Sequence, residues 1–186
     1  MSIFEKLNNK NVEDLYFKGE KKKAQDFIDR SERGKEKNEA PIDDGIRSLV
    51  LKLNRLPFLF TRIGSCEGHA VGRKDIIKKY PDSPTKNLRL PDVGMAKYYP
   101  GYFHIKIDWS DASKDFLENL KSIISQFPDA SIEEEFDTES GFNISLDGKD
   151  KNSQYFSEEE ARSFEAKGKE LIKEIETLVD QYISGQ

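Results

Sequence analysis

A chain of 186 residues with 35% hydrophobic and 35% charged residues, 12 Phe and 7 Tyr carries the apolar bulk for one packed core and too many aromatics for global disorder. One cysteine excludes an internal disulfide, no run reaches the roughly 20 apolar residues that span a bilayer, and Met1-Ser2-Ile3-Phe4-Glu5-Lys6 lacks the apolar centre of a signal peptide. The expectation is a cytoplasmic single domain over 1–186 with no membrane partner, and a net charge of −5 removes bulk electrostatics as a basis for binding nucleic acid.

Residues 11–37 predict a charged, peripheral helix anchored by Val12, Leu15, Tyr16, Ala24, Phe27 and Ile28, with Lys21-Lys22-Lys23 as a solvated stripe. Pro41 interrupts it. Asp43 or Asp44 then caps a second helix whose Ile42, Ile46, Leu49, Val50 and Leu53 recur at helical spacing before Pro57. Phe58 to Ile63 is aromatic and β-branched and stops at Gly64, which predicts a strand entering a glycine-bracketed turn.

Residues 70–101 carry Pro81, Pro84, Pro91 and Pro100 and a local charge of +4 against −9 for the remainder. They read as a long basic loop acting as a lid, in preference to a missed element such as a short helix near Asp75 to Tyr80. Tyr80, Tyr98, Tyr99 and Tyr102 are interleaved with its lysines, a composition that stacks on bases and holds phosphates, and equally one that pins a loop to the body. Any nucleic-acid contact is expected through this stretch.

From Tyr102 to Trp109 the chain alternates, with Phe103, Ile105, Ile107 and Trp109 on one face and Tyr102, His104, Lys106 and Asp108 on the other. Ser110 or Asp111 caps a helix bearing Phe116, Leu117, Leu120, Ile123, Ile124 and Phe127, ended by Pro128. Residues 132–136 and 142–146 predict a hairpin, and Ser157-Glu158-Glu159-Glu160 is a capping box that opens a long helix over 157–184. Its seam of Phe164, Gly168, Leu171, Ile175, Leu178 and Tyr182 packs on the chain's own sheet or serves as a homodimer contact. The sum is an α+β fold, a mainly antiparallel sheet of about four strands with helices packed on one face.

Strand parity then locates a site. With Leu59 and Ile63 turned to the core beside Phe103, Ile105 and Ile107, the other face collects Arg62, Gly64, Cys66, His104, Lys106 and Asp108, and the hairpin adds Asn143 and Ser145. The turn Gly64-Ser65-Cys66-Glu67-Gly68-His69 places the one cysteine and one of two histidines against this face. Three chemistries have the residues for it. Zinc could take Cys66, His69 and His104, with Asp108 or Glu67 as a fourth ligand, as in a zinc-dependent hydrolase, although structural zinc sites normally use more cysteines. A cysteine nucleophile would need His69 or His104 to take its proton. A small-molecule or nucleotide ligand could lie against the backbone at Gly64 and Gly68, assisted by Arg62, Lys106 and lysines of 70–101. A buried structural cysteine in a plain turn, or a non-enzymatic interaction protein, is the bland alternative.

Ile42-Asp43-Asp44-Gly45-Ile46, Leu49-Val50, Leu53-Asn54, Thr61 and the 64–69 turn together resemble the signature segment of the wybutosine-synthesis tRNA methyltransferase family. The chain is more similar still to small bacterial and phage proteins with a Ser-Cys-x-Gly-His turn. The resemblance covers 20–70 and 102–127, with the turn its specific part. It implies methyl transfer from S-adenosylmethionine to a modified guanosine in tRNA, with Ser65, Cys66 and Gly68 in the active-site turn. Where the family has an Ser-Ser-Cys-Ser-Gly-Arg turn, Gly64, Glu67 and His69 stand here; the lost arginine removes a bidentate anion binder, so a shifted ligand or reaction is implied. The assignment carried forward is a pocket with Cys66, His69 and His104 as catalytic groups, Ser65, Gly68, Arg62 and Lys106 as cofactor-binding groups, S-adenosylmethionine ahead of zinc as cofactor, and no metal ligands.

Overall fold

The computed structural model describes residues 3–32, 42–62, 65–79, 90–135, 140–147 and 154–185, with backbone alone for 3–14 and 31–32. Five helices and seven strands follow in the order α1 (Ile3–Glu32), α2 (Asp44–Arg55), β1 (Leu59–Thr61), β2 (His69–Gly72), α3 (Arg73–Lys79), β3 (Met95–Tyr99), β4 (Tyr102–Ile107), α4 (Asp111–Ile124), β5 (Ser131–Glu134), β6 (Gly141–Ser145), β7 (Tyr155–Ser157) and α5 (Glu158–Ser184). The strands form two antiparallel sheets, one ordered β1-β4-β6-β5 and the other β2-β3-β7. The fold class is α+β.

The first sheet owes its register to alternation along β4. Phe103, Ile105 and Ile107 are almost fully buried and pair with Ile144, Phe142 and Leu59, so one face is continuous hydrocarbon. Helices α2, α4 and α5 supply its other wall through Ile46, Leu49, Leu53, Phe116, Leu120, Leu171 and Ile175. Ser110 caps α4 by accepting a hydrogen bond from the Ser113 amide, and the Ser157–Glu160 capping box opens α5. The α5 seam that could have faced a partner helix lies within the chain: Gly168, Leu171, Ile175 and Leu178 are buried. Helix α1 wraps the β1 edge, with Phe17 packed on Phe60 of the opposite face while Phe27 and Ile28 join the main core.

Two expectations need correction. Residues 70–101 are not a loop throughout: β2, α3 and β3 occupy most of the described part. In β2 and β3, Ala70, Ala96 and Tyr98 alternate inward against Ala161 and Phe164 of α5, a pattern carried by small residues and hidden by the lysines between them. The short helix weighed against the lid exists as α3, and the proline-rich part with Tyr80, Pro81 and Pro84 lies outside the described residues. Trp109 does not continue the inward row of β4, since the strand ends at Ile107 and Trp109 takes a positive φ of 58°, partly exposed with its ring on Phe142.

The predicted end of the first helix at residue 37 likewise lies outside the described residues. Ile63 and Gly64 do too.

Candidate functional site

The turn after β1 runs from the first sheet to the second, and its geometry is set by three glycines. Cys66 forms an isolated antiparallel bridge with Tyr102, exchanging N–H···O bonds of 2.8 and 2.9 Å, so β4 anchors the turn at its middle. Two residues on, Gly68 takes φ +83° and is buried so tightly that a Cβ would fall 2.8 Å from the Gly101 amide and against the Asp147 carboxylate. Gly101 is equally confined, 2.7 Å from the Glu67 carbonyl by the same measure, and Gly45 of α2 packs on the Glu67 side chain.

Beneath the turn sits a buried polar knot. Asp147, 1% exposed, accepts hydrogen bonds from the Tyr98 hydroxyl and from the Gly101 amide at 2.9 Å. Burial and the adjoining carboxylate push the Tyr98 phenol far above its ordinary range, so it is a permanent donor. The knot ties the second sheet to the end of β6.

Above the turn, the structure brings Cys66 and His69 together and adds Asp43, at the start of α2. Cys66 Sγ lies 3.6 Å from His69 Nδ1 and accepts from the Gly68 amide at 3.5 Å. One ligand-type atom from each of Asp43, Cys66 and His69 falls within 4.8 Å of the others, all half-buried. Asp43 holds the N-cap position of α2 but makes no side-chain cap bond. Burial first, then Asp43 and Glu67, push the Cys66 thiol up to about 12, outweighing the Gly68 amide that pulls the other way. The group is therefore a thiol at neutral pH, the reverse of what an activated nucleophile requires.

His104 is not in this group. It lies on the neighbouring cross-strand row, in register with Asn143 and Glu133, and its Nδ1 is 2.7 Å from Glu135 Oε1. Arg62 forms an ion pair with the other oxygen of the same carboxylate, and its amide donates to the His104 carbonyl. Tyr102 meets the His104 ring edge-on. The Asn143 Oδ1 atom is buried with no hydrogen-bond partner among the described residues. Lys106 stands over the Tyr16 ring of α1, and Ser65 is half-buried beside Cys66. Parity thus assigns Arg62, Cys66, His104, Lys106, Asn143 and Ser145 to one face by register, while the side chains gather in two clusters there instead of one.

His69 belongs to the second sheet as well as to the turn. Its ring stacks on Tyr99 at 5.2 Å, and Lys97 stands over the other partner of that pair. By register Tyr99, Lys97 and the half-exposed Tyr155 share the face of this sheet turned away from α5, while the exposed Arg73, Lys74, Lys78 and Lys79 belong to α3, whose Asp75 pairs with Arg162 of α5. Tyr98 faces inward and is fully buried, so it cannot stack on a base.

Sequence reasoning missed three members. Asp43 was legible as a cap and within the resemblance, but nothing in its spacing joins it to Cys66. Glu135 and Asp147 sit at hairpin ends, where acidic residues are common, and no local signal separates them from solvated neighbours.

No family model matches the chain, and no curated protein matches it. Among solved structures, the PH1069 protein from Pyrococcus horikoshii is 15% identical with a TM-score of 0.56, over 89% of this chain and 94% of that one. The chain shares that fold. A second structure of PH1069 gives 17% identity and a TM-score of 0.48 over 87% and 94%, and a hypothetical protein from Aeropyrum pernix gives 16% and 0.36 over 75% and 94%. At such identities the likeness concerns architecture and leaves the ligand to be argued from the site.

Proposed function

We propose that the chain is a nucleoside-binding relative of the RNA-modifying methyltransferases, taking S-adenosylmethionine or a similar nucleoside at the turn over 65–69. The observation that carries this reading is the placement of His69. It closes the Cys66 cluster on one side and stacks on Tyr99 on the other, so the turn lies between a polar row and a basic, aromatic sheet face. A base recognised by stacking and a chain of phosphates met by lysines would use that second face.

The segments of the resemblance also come together in space. Asn54 donates to the Thr61 hydroxyl at 2.6 Å and accepts from the Thr61 amide at 3.2 Å, Gly45 packs on Glu67, and Asp43 joins Cys66 and His69. On this reading the Asn54–Thr61 end of the segment is structural and the half-buried Asp43–Cys66–His69 end takes the ligand. On the adjoining row, Arg62 has donors beyond the one Glu135 engages, which suits a ligand carboxylate, and the orphan Asn143 Oδ1 suits an exocyclic amine. In this reading Cys66 lines the ligand site at the turn, and His104, oriented by Glu135 on the adjoining row, is the proton carrier.

Calorimetry of the full chain with S-adenosylmethionine, S-adenosylhomocysteine and bulk tRNA tests this. Saturable binding of the nucleosides, and RNA binding weakened by Tyr99→Ala, is the expected result. No heat and no thermal shift with any of them would sink the reading, and unchanged binding of a protein partner after His69→Ala would favour an interaction protein.

A further inference from the structure

We propose that Asp43, Cys66 and His69 form a binding site for one divalent transition-metal ion of the zinc class. The carboxylate, thiol and imidazole offer one atom each within 4.8 Å of one another. Tetrahedral bonds of about 2.3 Å to sulfur and about 2.0 Å to nitrogen hold those two atoms about 3.5 Å apart. Cys66 Sγ and His69 Nδ1 stand 3.6 Å apart, so an ion fits between them without a shift of the backbone.

Two further features point to a ligand. Asp43 stands at the N-cap of α2, where aspartate ordinarily accepts a hydrogen bond from the helix amides, yet its side chain makes none and reaches the Cys66–His69 pair. The Gly68 amide donates to Sγ at 3.5 Å, the outer contact that orients and tunes a metal-bound sulfur, and it does so through the positive φ of +83° that glycine tolerates. A mixed nitrogen, oxygen and sulfur set favours zinc or cobalt over magnesium and calcium, which take oxygen ligands.

Three protein ligands leave one tetrahedral position for water or substrate, the pattern of catalytic zinc sites. Binding forms a metal–sulfur bond, breaks the S–H bond and releases that proton to solvent. His104 takes no part, being held by Glu135. The site stands independently of the methyl-transfer reading: a chain that binds zinc and no nucleoside keeps this proposal and loses that one.

The full chain, stripped with a chelator, is titrated with Co²⁺ and then Zn²⁺. Expected are one Co²⁺ per chain, a sulfur-to-cobalt charge-transfer band with tetrahedral d–d bands, displacement by Zn²⁺ and no competition from Mg²⁺. Cys66→Ser should abolish the charge-transfer band, Asp43→Asn and His69→Gln should each weaken binding at least ~10-fold, and His104→Gln should leave it unchanged. Circular dichroism of the metal-free variants checks their folding. Zn²⁺ should also protect Cys66 of the unmutated chain from alkylation, a measurement that needs no variant. Absence of a stoichiometric band, a band that survives Cys66→Ser, or no protection of Cys66 would overturn the proposal.

Discussion

The two sheets are held by different forces. In the first, four strands present a hydrocarbon face to three helices, and residues such as Phe103, Phe116, Phe142 and Leu53 are fully buried. In the second, the buried side consists of Ala70, Ala96, Tyr98 and Ala161, with Phe156 and Phe164 at its margin. So small an apolar layer contributes little on its own, and polar ties complete it: Tyr98 and Gly101 to Asp147, and Arg162 of α5 to Asp75, Glu165 and the Ala70 carbonyl. The candidate site sits on the turn between a sheet packed on hydrocarbon and one completed by polar ties.

If that contrast is right, truncating the first sheet's core should have the largest effect. Phe103→Ala removes a fully buried ring and should cost about 3–5 kcal/mol in urea unfolding. A loss below about 1 kcal/mol would mean that the main core is elsewhere. Gly68→Ala comes next, at roughly 3 kcal/mol, because alanine meets both a left-handed backbone and the Gly101–Asp147 wall. Gly45→Ala should be milder, since the Glu67 side chain that it meets can turn aside. Equal losses in the two variants would refute the idea that the turn is rigid at Gly68 and compliant at Gly45.

Tyr98→Phe probes the polar ties of the second sheet. It removes one donor from the buried Asp147 carboxylate and should cost about 2 kcal/mol, with amide exchange accelerated in β2 and β3 while β4 and β6 stay protected. Uniform acceleration across both sheets would show that they open as one unit.

The same contrast explains what the sequence could reveal. Strong apolar periodicity marked α2, β4, α4, the β5–β6 hairpin and α5, and the caps at Ser110 and Ser157 hold as sequence grammar indicates. Periodicity failed where a strand buries alanine and glycine: Ala70, Gly72 and Ala96 carry too little hydrocarbon to stand out among lysines and prolines. Strand β7, three residues long, has no pattern to read. For the site, parity put Cys66, His104 and Asn143 on one face because a period of two is a local property. Parity could not tell that His104 would turn to Glu135, or that Asp43, from another element, would come to Cys66. Those are tertiary contacts between distant segments.

The smallest effect at neutral pH belongs to the site itself. In metal-free protein burial lets the folded Cys66 thiol keep its proton up to about 12, whereas the unfolded chain releases it near the ordinary thiol value of 9.0. Above that lower value the native state binds more protons than the unfolded one, so stability falls as pH rises; below it the contribution is fully present and flat. Because the thiol is only half-buried, solvent screening makes the drop smaller than the displacement alone implies. Cys66→Ala should therefore melt close to the parent at pH 7 and lose less stability than the parent between pH 9 and pH 11. Parallel pH profiles would place Cys66 in contact with water and remove the burial that, with Asp43 and Glu67, sets this end of the turn apart from a plain loop.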